Sequence, residues 1–273
     1  MKNEINAIDA ALNYVELGWP VFPCHSIKNG ECSCGKPDCS PGKHPRTDHG
    51  FNDATTDISQ IKQWWELWPD ANIAVCTGAK SGIAVLDVDS KNGGLGNLEL
   101  LESEHGALPE TLVAQTGGGG RHYFFSYPEN GFKNSAGKIA SGIDTRGEGG
   151  YVIVEPSNHI SGDSYHWLDS EPGKIKLTPP PEWILRCLAE STKVANASNG
   201  NNNGTGKIQQ GGRNCFLTSM AGKMRHSGME KVNILPALSG INQAGCNPPL
   251  PSNEVEAIAQ SIGNYSKGQK API

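Results

Sequence analysis

The sequence contains no long hydrophobic run. Its longest purely aliphatic stretch, Ile83 to Leu86, falls far short of the ~20 apolar residues a membrane-spanning helix needs. The opening residues, Met1-Lys-Asn-Glu-Ile, lack an apolar signal-peptide core, so a cytoplasmic protein with no membrane partner is expected. Hydrophobic residues make up only 36% of the 273 positions and aromatics 7%. That is low, yet enough for one good-sized core and a small appendage, which excludes a disordered chain. Acidic residues are missing altogether between Lys193 and Met229.

That last absence exposes a split hidden in the formal net charge of −5. Residues 1–190 carry 15 Lys and Arg against 25 Asp and Glu, whereas residues 191–273 carry 8 against 3. The tail is therefore the better handle for an anion. Its Lys207, Arg213, Lys223 and Arg225 are candidate contacts to a nucleic-acid backbone.

Apolar residues at Ile5, Ile8, Ala11, Leu12 and Val15 predict a helix that stops at Gly18, followed by an extended Trp19–Pro23. Asp57 with Gln60 predicts a capped helix carrying Ile61, Trp64, Trp65 and Trp68 into a core and closed by Pro69. Strands are predicted at 72–77, 82–89, 111–115, 122–127 and 151–155, with a helix at 95–105. This pattern gives a mixed α+β domain over residues 1–190. Residues 191–212, dominated by Asn, Gly, Ser and Gln, read as a flexible linker. Beyond it, apolar residues at helical spacing predict three short helices in a small all-helical domain, 213–273.

Three constellations carry chemistry. The strand Ile83–Asp89 ends in Asp87 and Asp89, which as residues two apart project from one face and together suit Mg²⁺ or Mn²⁺. Next, Thr116-Gly-Gly-Gly-Gly-Arg-His122 offers close-approach glycines and two cationic donors, Arg121 and His122, as a triphosphate cradle. Finally, Gly142-Ile-Asp144-Thr-Arg146 places a third carboxylate and a guanidinium on one face if extended.

Four of the eight cysteines crowd with histidines into the loop 24–49. Cys32, Cys34, Cys39 and His44 form the preferred tetrahedral set for one structural Zn²⁺, with Cys24 or His25 as an alternative ligand. The scattered Cys76, Cys187, Cys215 and Cys246 read as core or incidental thiols.

The chain resembles the bifunctional DNA primase/polymerase (prim-pol) domain of the archaeo-eukaryotic primase superfamily. The residues that carry the likeness are Gly18–Pro23, Gly42-Lys-His-Pro45, Ala54–Asp57, Trp64-Trp65, Asn72-Ile-Ala, Leu86–Asp89, Gly118–His122, Gly142–Arg146 and Pro156-Ser157. The tail is similar to the helical domain that follows many such primases.

This resemblance implies an RRM-like catalytic core with a mixed or antiparallel sheet and a zinc-stapled loop. It further implies two metal ions on Asp87, Asp89 and Asp144, His122 on the incoming triphosphate, NTPs and dNTPs as substrates, and single-stranded DNA as template. With no Gly-x4-Gly-Lys-Ser/Thr run in the sequence, a helicase partner is expected to be a separate protein. Two rivals share parts of the pattern: a metal-dependent Asp-x-Asp nucleotide-sugar transferase, and a non-catalytic zinc-containing DNA-binding replication factor.

Overall fold

The computed structural model describes residues 6–91, 93–197, 207–209 and 212–263. In chain order come α1 (Ala7–Glu16), β1 (Val21–Cys24), β2 (Ile27–Lys28), β3 (Glu31–Cys32), α2 (Ile58–Leu67), β4 (Asn72–Cys76), β5 (Ile83–Val88) and α3 (Gly94–His105). Then follow β6 (Leu112–Gln115), β7 (Arg121–Ser126), β8 (Ser135–Ala140), β9 (Ile143–Arg146), β10 (Tyr151–Val154), β11 (His166–Leu168) and α4 (Glu182–Ala197). The tail contributes β12 (Ile208–Gln209), α5 (Arg213–His226), α6 (Lys231–Gly245), β13 (Cys246–Asn247) and α7 (Ser252–Gly263).

The local signals act as their chemistry dictates. Asn6 caps α1 by accepting the amide of Asp9 at 2.8 Å, and the chain leaves that helix through Gly18 at a φ of +77°. Asp57 caps α2 by accepting the amides of Ser59 and Gln60. Trp65 is buried, while Trp64 and Trp68 pack at the core's margin.

Six strands form one sheet in the order β11-β6-β7-β5-β9-β8, and three form a second in the order β1-β4-β10. Every pairing within both sheets is antiparallel. The period of two divides β5 cleanly between two cores. Ile83 and Val85 face the second sheet together with α1 and α2, meeting Val21, Ile73, Val75, Val152 and Phe124. Ala84, Leu86 and Val88 face the opposite way and pack with Leu98 and Leu101 of α3 and Trp183 and Ile184 of α4. Asp87 is in phase with Ile83 and Val85. It lies where the first core gives out.

The tail helices enclose a core of their own, including Leu217, Ile234, Leu238, Val255 and Ile258. They also dock on the six-stranded sheet: Ser219 of α5 donates to the Gly137 carbonyl of β8 at 2.9 Å. At Gly222 a Cβ would stand 2.4 Å from that of Ser141, so no side chain fits there. Helix α4 enters what the sequence suggested was linker, running to Ala197; the expected linker's centre, 198–206, lies outside the described residues. A disulfide between Cys187 of α4 and Cys215 of α5 corrects the expectation that both are separate thiols. The two sulfurs meet because α4 and α5 pack side by side against β8. Cys76 and Cys246 are buried free thiols, as expected.

One polar pair holds the base of the loop 24–49. Buried Asn72 donates to the carbonyls of Gly42 at 2.8 Å and Asn158 at 2.9 Å, and accepts the Asn158 amide at 3.0 Å. Asn158 in turn bonds both backbone groups of Ile27. Buried groups deprived of such partners bear a full desolvation cost. Asn72→Ala is expected to destabilise the protein by about 2–4 kcal/mol, measured by urea unfolding; a change within about 0.5 kcal/mol would show that the pair does not anchor the loop.

Candidate active site and metal cluster

The sheet register assembles the site. Asp87 on β5 lies directly opposite His122 on β7 and Asp144 on β9, so three side chains from three neighbouring strands share one face. Asp87 Oδ1 is 3.4 Å from His122 Nε2, and its Oδ2 is 3.3 Å from an Arg146 guanidinium nitrogen. That same nitrogen lies 3.0 Å from Asp144 Oδ2. Asp144 Oδ1 accepts the Gly137 amide at 2.9 Å. Asp89 follows the strand, its Oδ1 accepting the Lys91 amide at 2.8 Å.

All three carboxylates, His122 and Arg146 border one cavity of about 710 Å³. The two ionic carboxylates differ in character. Burial would raise the Asp87 carboxyl, but His122, Arg146 and Lys43 overcome that and hold it well below the usual carboxylate range. Asp144 moves the other way: burial and the nearby charges of Asp87 and Asp89 push it up, against the pull of the Gly137 amide and Arg146. Negative charge thus exceeds what Arg146 alone can balance. The donor set of hard oxygens suits Mg²⁺ or Mn²⁺.

The glycine run acts partly through packing. A Cβ at Gly117 would stand 2.3 Å from His159, one at Gly120 would meet the Val88 carbonyl at 2.3 Å, and Gly119 has a φ of +83°. The amides of Gly119 and Gly120 are taken by the Thr116 carbonyl and hydroxyl. The loop's donors are therefore less available to phosphate than expected. Ser90 anchors the loop by donating to the Gly118 carbonyl at 2.8 Å.

Arg121, expected beside the nucleotide, does not line the cavity. One residue out of phase with His122, it points to the other face of β7, where its guanidinium bonds Tyr123 at 3.4 Å. Of the four basic tail residues, Lys223 reaches the cavity wall. The others bond carbonyls of their own helical module: Lys207 that of Gln243, Arg213 those of Pro248 and Pro249, and Arg225 that of Met229.

His159 was missed by sequence reading. It is buried, it touches the glycine loop, and it borders the cavity. Burial and then Lys43 and Lys91 depress its imidazole pKa. No spacing signal marks it, because its position depends on the loop after β10.

In the loop 24–49, the ligand atoms of Cys32, Cys34, Cys39 and His44 all lie within 4.8 Å of one another. His44 Nδ1 sits 2.9 Å from the Ser40 carbonyl; donating there leaves Nε2 with its lone pair for a metal. The Lys36 amide, 3.4 Å from Cys34 Sγ, brings that thiol down to about 7, while burial and its neighbours push Cys39 up to about 12. Sulfurs crowded in this way cannot all ionise unless a cation sits among them, and the donor set fits Zn²⁺. The two alternative ligands stand aside. Cys24 is buried with its thiol 3.5 Å from the Lys43 carbonyl, and His25 stacks on His44 with Nδ1 on Ser33.

An antiparallel α+β domain with a carboxylate-lined cavity, followed by a docked helical module, is the class that this geometry defines. Residues 11–183 match the family model for the bifunctional DNA primase/polymerase N-terminal domain, and residues 204–267 match that for primase C terminal 1. The chain belongs to the bifunctional DNA primase/polymerase family and carries a C-terminal primase domain. No curated protein matches it. Among the described residues no helix is long and apolar enough to cross a membrane.

Two outcomes follow for the metal-free and purified protein. Without divalent metal at neutral pH, Asp87→Asn should lower the thermal midpoint by roughly 2–4 °C, whereas Asp144→Asn should leave it unchanged or raised. Asp87 is held below the ordinary 3.8, so its charge stabilises above that pH, and the Asp87→Asn deficit should narrow as pH falls below it; a constant deficit by calorimetry would refute the assignment. Metal analysis should find about one equivalent of zinc, lost in Cys34→Ser and retained in Cys24→Ser.

Proposed function

We propose that this protein makes and extends primers on single-stranded DNA by template-directed nucleotidyl transfer, with two Mg²⁺ or Mn²⁺ ions held by Asp87, Asp89 and Asp144. The observation that carries the reading is the cross-strand row of Asp87, His122 and Asp144 at the floor of one cavity. When bound, the ions would activate a primer 3′-hydroxyl and stabilise the leaving pyrophosphate.

The chain's own groups then have distinct tasks. Arg146 bridges Asp87 and Asp144; with cations on those carboxylates its guanidinium would be free to meet a phosphate. His122, held beside Asp87 and flanked by Phe124 and Tyr165, offers an imidazole N–H to the triphosphate. Lys223 brings a cation from α5 to the same cavity.

The strand order supports the RRM-like reading of the core. Strands β5, β6, β7 and β9 stand in the order β9-β5-β7-β6, with α3 between the first two in sequence, as in a four-stranded RRM sheet. The connection from β7 to β9 holds β8 in place of a second helix. We take residues 1–190 as the catalytic unit and 213–273 as the helical module, acting in the cytoplasm on NTPs and dNTPs in replication of a plasmid, phage or similar element. A separate helicase would open the duplex. Family membership favours nucleotidyl over sugar transfer, and a complete carboxylate set argues against a non-catalytic factor.

The test offers single-stranded DNA, labelled NTPs or dNTPs and Mg²⁺ or Mn²⁺ to the protein. Template-dependent products are expected from the wild type and none from Asp87→Ala/Asp89→Ala; His122→Ala should lower kcat/KM by about 100-fold. Absence of product from the wild type under all these conditions sinks the reading.

A further inference from the structure

The loop that gathers the zinc-type ligands also enters the catalytic cavity. Residues 40–43 form a tight turn closed by the Lys43 amide on the Ser40 carbonyl at 3.1 Å. Cys39 and His44 stand immediately on either side of it, and both belong to the metal cluster. Ser40 and Lys43 themselves border the cavity that holds Asp87, Asp89 and Asp144.

The turn's backbone is fixed from the sheet side. The Gly42 carbonyl accepts from Asn72, and the Lys43 carbonyl accepts from the Tyr151 hydroxyl at 3.1 Å and the Cys24 thiol at 3.5 Å. Gly42 has a φ of +73° and leaves a Cβ only 3.2 Å from Asn72 and Ile27, so the turn admits little else. Among the described residues Lys43 has no ion-pair partner. Arg146, by contrast, is committed to two carboxylates. A lysine ammonium whose charge acts on Asp87 across the cavity, yet which makes no salt bridge to any of its acids, suits a phosphate oxygen.

We propose that Lys43 binds the triphosphate of the incoming nucleotide and that metal at Cys32, Cys34, Cys39 and His44 sets its position. The cluster then governs nucleotide affinity, in addition to stapling its own loop. This rests on the nucleotidyl-transfer reading of the same cavity. Ligation at Cys39 and His44 pins both ends of the turn; without the metal only the sheet-side hydrogen bonds to the Gly42 and Lys43 carbonyls remain to hold it, and the placement of Lys43 loosens.

The test measures ATP and dATP binding by calorimetry with Mg²⁺, in the full chain without template, alongside zinc content. Lys43→Ala should weaken binding by about tenfold while retaining the zinc of the wild type, and Lys43→Arg should recover part of the loss. Cys39→Ser should lose zinc and weaken binding to a similar degree, with the double variant no worse than either single one. Chelation of the wild type followed by zinc re-addition should lower and then restore affinity, giving the same reading without a substitution.

Wild-type affinity in Lys43→Ala would overturn the proposal alone. Losses that multiply in the double variant would overturn the coupling to zinc. A wild type that binds neither nucleotide would instead overturn the underlying function.

Discussion

The register of β5 against its two neighbours governs the larger domain and its cavity. Pairing Asp87 with His122 on one side and Asp144 on the other fixes which side chains meet, and the period of two fixes the face on which they meet. A slip by one residue would send Asp87 into the aliphatic layer that Leu86 and Val88 now fill and turn Ala84 toward the second sheet. The two hydrophobic cores flanking β5 resist that slip, since Ile83 and Val85 fill one and Ala84, Leu86 and Val88 fill the other. The same burial that holds the fold thus aligns charges that repel one another. Arg146 offsets part of that repulsion.

The surroundings of this row come from segments far apart in sequence. The loop 24–49 supplies Lys43, the turn after β5 supplies Lys91, the segment after β10 supplies His159, and α5 supplies Lys223. A basic rim collected from four places stands over an acidic floor built from adjacent strands. The chain's division into an acidic body and a basic tail is therefore only part of its electrostatics: three of the rim's four cationic or imidazole groups belong to the acidic body. Meanwhile Lys207, Arg213 and Arg225 spend their hydrogen bonds on the helical module.

Much of the fold could be read in the sequence because its signals are local. The cap at Asp57, the stop at Gly18 and the aliphatic run into Asp87 each depend on a few neighbouring residues. The cysteine–histidine cluster was legible for the same reason, since its four residues crowd within thirteen positions of one another. What escaped needed long-range packing. Helix α4 carries Trp183, Ile184 and Cys187 at helical spacing behind Pro179-Pro180-Pro181, yet its neighbouring polar run masked it. Arg121 was misplaced because adjacency to His122 in sequence means opposition on a strand. His159 and the Cys187–Cys215 bond arise from tertiary approach alone.

The contact between Gly222 and Ser141 bears on how such chains can be recombined. With a Cβ at 222 barred by Ser141 and Ser219 bonded to β8, the helical module fits its sheet as a key fits one lock. Grafting a foreign module would require matching both faces at once, so the boundary between the two halves is an unsafe place to cut and splice. Shuffling would succeed only where α5 and the β8–β9 turn travel together, making them a single unit of inheritance that straddles the apparent junction.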